Sequence, residues 1–211
     1  STRAGRQPTR LIFALLAAAV VLLAQQPTPA NAYPLWTSSM VAGLGEEEVD
    51  GPLDLKFDAA GNPYLAIGNV DPPTDLTRWG LLLAEWDGSA WRTSRAYARA
   101  VCIGSQQTDL SLAVSADGSR AAISFWESCD ARIAVVLGTK TPEGTWNWAF
   151  TELPYAPDPD SHVGPTFFPS AVAFDNSGYL HLIFGMDFQV YHTWYSPFSG
   201  WTTRQEVTDS S

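Results

Sequence analysis

Apolar and polar residues alternate in short runs along most of the chain, and the runs recur. Three segments align on a turn glycine: Leu53-Asp-Leu-Lys-Phe-Asp-Ala-Ala-Gly61, Leu110-Ser-Leu-Ala-Val-Ser-Ala-Asp-Gly118 and Ser170-Ala-Val-Ala-Phe-Asp-Asn-Ser-Gly178. Leu53, Leu55 and Phe57 have counterparts in Leu110, Leu112 and Val114 and in Val172 and Phe174. Period two predicts a strand with one buried face. A β-rich run follows each glycine, so each segment predicts a hairpin. A third run comes next, Leu81 to Trp86, Ile133 to Leu137 or Gln189 to Tyr195. A turn at Asp87-Gly88, Glu143-Gly144 or Ser199-Gly200 then leads into a fourth, from Trp91 to Tyr97, Trp146 to Leu153 or Trp201 to Val207. The unit is four antiparallel strands, here A to D, and nothing beyond residue 32 has helical periodicity.

Trp36, Trp91, Trp146 and Trp201 follow one another at 55 residues, whereas Gly61, Gly118 and Gly178 are separated by 57 and 60. Loop lengths absorb the difference. The B–C connection is long in the first unit (Gly68 to Arg78) and short in the third (Gly185 to Phe188), and a long D–A connection (Pro154 to Pro169) precedes the third. Four-stranded meanders at this period predict an all-β chain built as a β-propeller of four-stranded antiparallel blades. The blades span about 53–97, 109–153 and 170–207, and residues 36–41 read as a lone outer D strand. Three complete blades and one strand make an incomplete ring, so the expectation is the N-terminal part of a longer protein. The alternative is a homodimer that pools three blades from each copy.

With those residues set out, the combination of L-x-F-D-x-x-G, a following β-rich run and Trp86-Asp-Gly-Ser-Ala-Trp91 resembles the repeats of exported bacterial propellers of the sialidase-like, Asp-box (BNR) type. The resemblance covers Trp36 to Val207. The Asp-box pattern S-x-D-x-G-x-x-W is degenerate: Glu85 stands where the serine belongs, the second unit has Glu143-Gly144-Thr145-Trp146, and the third has no acid. The resemblance implies a fold that hosts many activities, and Asp-boxes are themselves structural turns.

Charge and termini narrow the setting. Three arginines and no acid precede an apolar run from Leu11 to Ala24, and Ala30-Asn31-Ala32 closes the polar stretch after it. That is the layout of a Sec-type signal peptide over residues 1–32, cleaved between Ala32 and Tyr33. Residues 33–211 then form the propeller segment, secreted or held at the cell surface or periplasm, with no membrane attachment after cleavage. They carry nine basic against 22 acidic residues, a formal charge of −13. Such a surface repels phosphate backbones and excludes nucleic acid as a partner.

Candidate chemistry gathers in the B–C and D–A connections, which emerge at one end of the blades. Cys102 and Cys129 both fall there in the second blade, and export predicts a disulfide between them. The candidate ligand-binding residues are Asp71, Asp75 and Arg78, then Trp126, Glu127, Asp130 and Arg132, then Asp158, Asp160 and His162. Carboxylates beside arginines suit a carbohydrate or protein ligand. Asp158-Pro-Asp160-Ser-His162 offers oxygens to Ca²⁺ but lacks an apex glycine and a distal glutamate, so no cofactor or metal is expected. His181 and His192 read as cross-strand partners. No catalytic constellation is evident. The reading is a binding or interaction module, with a sialidase-like glycoside hydrolase, its catalytic residues incomplete in this segment, as the alternative.

Overall fold

The computed structural model describes residues 48–49, 51–68, 70–71, 78–100, 109–127, 132–153, 170–186 and 189–207. The expected signal segment with its Ala32/Tyr33 junction and the strand at 36–41 lie outside these residues. So do Asp75, Cys102, Cys129, Asp130, Asp158, Asp160 and His162.

The described residues are all-β and contain no helix. A ribbon pairs β1 (Glu48–Val49) with β4 (Val70–Asp71). The first sheet runs in the order β2 (Leu53–Phe57), β3 (Pro63–Ile67), β5 (Arg78–Trp86), β6 (Trp91–Ala100). The second comprises β7 (Leu110–Val114), β8 (Arg120–Glu127), β9 (Arg132–Lys140) and β10 (Trp146–Glu152). In the third, β11 (Ser170–Phe174), β12 (Leu180–Met186) and β13 (Gln189–Ser196) are followed by β14 (Gly200–Trp201) and β15 (Gln205–Glu206), both paired with β13. Every pairing is antiparallel, and no sheet closes on itself.

These sheets match the three predicted units, with two differences at strand level. Residues 70–71, expected in a loop, form a ladder with residues 48–49. The fourth strand of the third sheet is broken: Tyr195 faces Trp201 but His192 faces Gln205, a register shift of one residue. At the break the Thr193 hydroxyl donates to the Thr202 carbonyl at 2.9 Å, beside the Thr202 N–H bond to the Trp194 carbonyl.

The alternation decides which face each strand buries. Tyr64, Ala66, Leu81 and Leu83 of the first sheet pack on Leu112, Ile123, Phe125 and Val136 of the second. The opposite face of the second sheet, with Ala113, Ala122 and Val135, packs on Val172, Leu180, Leu182 and Phe184 of the third. Because the second sheet is covered on both faces, Ala121 to Phe125 are buried without interruption and β8 loses its alternation.

The first strands of successive sheets lie against each other, β2 on β7 and β7 on β11. Side chains join them. The Leu112 N–H donates to Asp54 Oδ2 at 2.7 Å, the Val172 N–H to Ser111 Oγ at 3.3 Å, and the Ser170 N–H to the Asp109 carboxylate. Asp54 and Ser111 occupy the same place in the repeat, as do Leu112 and Val172, so the joint itself repeats.

Candidate functional site between the first and second sheets

Glu127 ends β8 and Arg132 begins β9, so the second sheet's B–C connection springs from this pair. Glu127 lies two residues beyond Phe125, on the face toward the first sheet, and is completely buried. A buried carboxylate needs partners for its oxygens. The Tyr97 hydroxyl donates to Oε1 at 2.9 Å and Arg132 Nε donates to Oε2 at 2.7 Å. Arg132 Cζ stands 5.2 Å from the centre of the Phe150 ring, and its side chain is 24% exposed. Its guanidinium is therefore held between a carboxylate and an aromatic face while reaching solvent, a setting suited to an anionic or hydroxyl-rich ligand.

Tyr97 belongs to the first sheet, and the sequence reading missed it. Strict alternation from Trp91 would put Tyr97 on the Trp91 face. A bulge opposite Leu81 and Leu82 shifts the register, so that Leu81 faces Tyr97 while Leu82 faces Arg95. Ala96 and Tyr97 consequently both turn toward the second sheet, where the Tyr97 ring lies 5.2 Å from that of Phe125 and 5.4 Å from that of Phe150. The only available signal was an aromatic residue near the end of a polar strand.

Of the residues expected in the site, the structure brings together Glu127 and Arg132. Trp126 is adjacent in sequence but alternates to the other face, opposite Ile133, and is half-buried. Asp71 and Arg78 enter as strand residues, Asp71 facing Glu48 and Arg78 facing Ala100.

A second polar cluster closes the opposite end of the same interface. Glu85 Oε2 accepts Lys140 Nζ at 2.8 Å and Trp146 Nε1 at 3.2 Å. Tyr64 lies edge-on to Trp146, and its hydroxyl is 3.4 Å from Asp58. Burial, together with the charges of Asp58 and Glu85, pushes the Tyr64 phenol up to about 12. This group stays a neutral donor at every physiological pH.

The third cluster lies on the outer face of the third sheet. His181 Nδ1 is 2.9 Å from His192 Nε2, and His181 Nε2 is 3.2 Å from Asp175 Oδ2. An ionised Asp175 fixes the His181 proton on Nε2, so His192 donates to Nδ1. Burial and the neighbouring His181 hold His192 below the usual histidine range. Among the described residues no group of three or more His, Cys, Asp or Glu is placed to hold a metal ion. Compared with known families and with curated proteins, the chain matches no family model and no curated protein.

Proposed function

We propose that the chain is an exported, sialidase-like β-propeller segment that serves as a binding or interaction module for a carbohydrate or protein ligand outside the cell. The propeller reading is supported by two four-stranded sheets and a third whose fourth strand is split in two, stacked face to face with their first strands adjacent and cross-linked by Asp54 and Ser111. The export reading rests on the residue pattern of positions 1–32. One observation carries the binding reading: the Tyr97–Glu127–Arg132 chain fixes a partly exposed guanidinium at the base of a variable connection. A rigid base beneath variable loops is the arrangement by which repeat scaffolds carry recognition. Binding of the purified chain to arrays of acidic and neutral glycans, compared with Arg132→Ala, tests it. The expected result is retained fold with affinity lowered at least tenfold; binding indifferent to Arg132 would refute this site.

One contact favours the alternative, since sialidase-like hydrolases use a tyrosine paired with a glutamate and Tyr97 bonds Glu127. Here Glu127 is completely buried and its second oxygen accepts Arg132, so its carboxylate is engaged inside the interface and not presented to a ligand. Release of a fluorescent aglycone from a sialoside, abolished in Tyr97→Phe, would reinstate the hydrolase.

A further inference from the structure

Two strips of the sheet stack stay exposed, and they are the two halves of an interface the chain already uses twice. On the first sheet, Leu53, Leu55 and Phe57 are 59%, 49% and 58% exposed. Leu55 corresponds in the repeat to Leu112 and Val172, which are 0% and 6% exposed because a preceding sheet covers each. On the third sheet the complementary strip is Ala171 and Ala173 on β11 with Ile183 beside them on β12, all exposed. Its counterpart on the second sheet, Ala113 on β7 with Ala122 and Ser124 on β8, is buried; on the third sheet His181 stands at the Ala122 place and Ile183 at the Ser124 place. An apolar strip that is core in two repeats and open in another marks an interaction surface.

We propose that a second copy of this chain docks head to tail, setting its Ala171–Ala173–Ile183 strip on Leu53, Leu55 and Phe57. Continuity with the existing interfaces carries the choice of partner. Each joint between the described sheets unites one strip of either kind, and among the described residues one of each kind is left over. Two copies therefore satisfy one another reciprocally, a heterologous contact that closes when the rotation allows. The joint between copies differs from those within the chain at one atom group. Asp54 and Ser111 accept the Leu112 and Val172 amides, whereas Ala171, in the same place, has no acceptor. Association is therefore weaker than the internal packing and depends on concentration. It rests on the packing of the repeats and is independent of any ligand held near Arg132.

Sedimentation velocity of the full chain between about 1 and 100 μM tests the proposal. The expected mass is at least twice the 22.9 kDa of one chain at the upper end. Leu55→Asp and, on the opposite strip, Ile183→Lys should each return the mass to one chain with circular dichroism unchanged. Two independent sites keep the test decisive if one variant fails to fold. Ala171→Asp supplies the missing acceptor and should tighten association about tenfold, the effect of one charge-assisted hydrogen bond. A single-chain mass throughout would overturn the proposal in favour of a different partner on this strip. Association that survives both Leu55→Asp and Ile183→Lys would place the contact elsewhere. Unchanged affinity in Ala171→Asp would show that the joint does not repeat the internal register.

Discussion

Gly138 on β9 shows how one residue carries the packing of an outer strand. A Cβ placed there would stand 2.7 Å from Trp148 Cζ3 and 2.9 Å from Trp146 Cε3, so only hydrogen fits beneath the two stacked indoles. Neither ring has freedom to retreat. Trp148 Nε1 donates to Ser94 Oγ of the first sheet at 2.9 Å, and Trp146 Nε1 is tied to Glu85. Gly138→Ala should therefore destabilise the protein by about 2 kcal/mol, the cost of overpacking a filled site. Urea unfolding followed by tryptophan fluorescence measures this, and an unchanged midpoint would mean that the rings reorient at little cost. In the sequence Gly138 announces only that something approaches a strand closely. What approaches it depends on alternation along β10, which places Trp146 and Trp148 on one face. Tyr97 was hidden in the same manner, because a bulge inverts the face that alternation assigns.

At the scale of elements, the joint between successive first strands matters more than any single strand. Asp54 accepts an amide of β7 that would otherwise point away from its own sheet's ladder. Asp54→Ala removes a charged acceptor from a partly buried N–H and should cost about 2 kcal/mol, while Asp54→Asn keeps an acceptor and should cost less than half of that. Chemical denaturation of both variants separates the bond from mere loss of volume; equal losses would count against the bond. The order of the main strands and the turn positions were legible beforehand, since period two and the glycine turns are local properties. Gly118 illustrates the latter: it has φ of +67°, and a Cβ there would lie 2.5 Å from the Tyr64 hydroxyl. The β1–β4 ribbon was not legible, because two-residue strands are too short to display a period. Nor was the break between β14 and β15, which depends on the Thr193–Thr202 pairing across the sheet.

For the whole molecule, half-buried His192 and buried Tyr64 define a plateau of stability against pH. His192 has a folded pKa below its ordinary 6.5, from burial and from His181, so the unfolded chain takes up a proton first as pH falls. Stability is complete above about 6.5 and declines as pH falls through the folded value. Tyr64, raised to about 12 from 10.0, acts on the alkaline side: the unfolded chain loses its proton first, and stability declines between those values. Unfolding free energies measured from pH 5 to 11 should show both slopes, with His192→Gln flattening the acidic one and Tyr64→Phe the alkaline one. A profile without an acidic slope would remove His192 from the account. The sequence by itself determined the all-β class, the three repeated antiparallel units and their turns, and Glu127 and Arg132 as candidates in one connection, which the structure makes the ends of neighbouring strands. Hydrophobic periodicity and glycine spacing are written along the chain, and antiparallel hairpins pair neighbours in sequence. Only the tertiary structure decided that Tyr97 reaches Glu127 across 30 residues, that Trp126 turns away from it, and that the Leu55 strip is left open while Leu112 and Val172 are covered. Those outcomes depend on which face of one sheet meets which face of the next, and no local pattern encodes a contact between sheets.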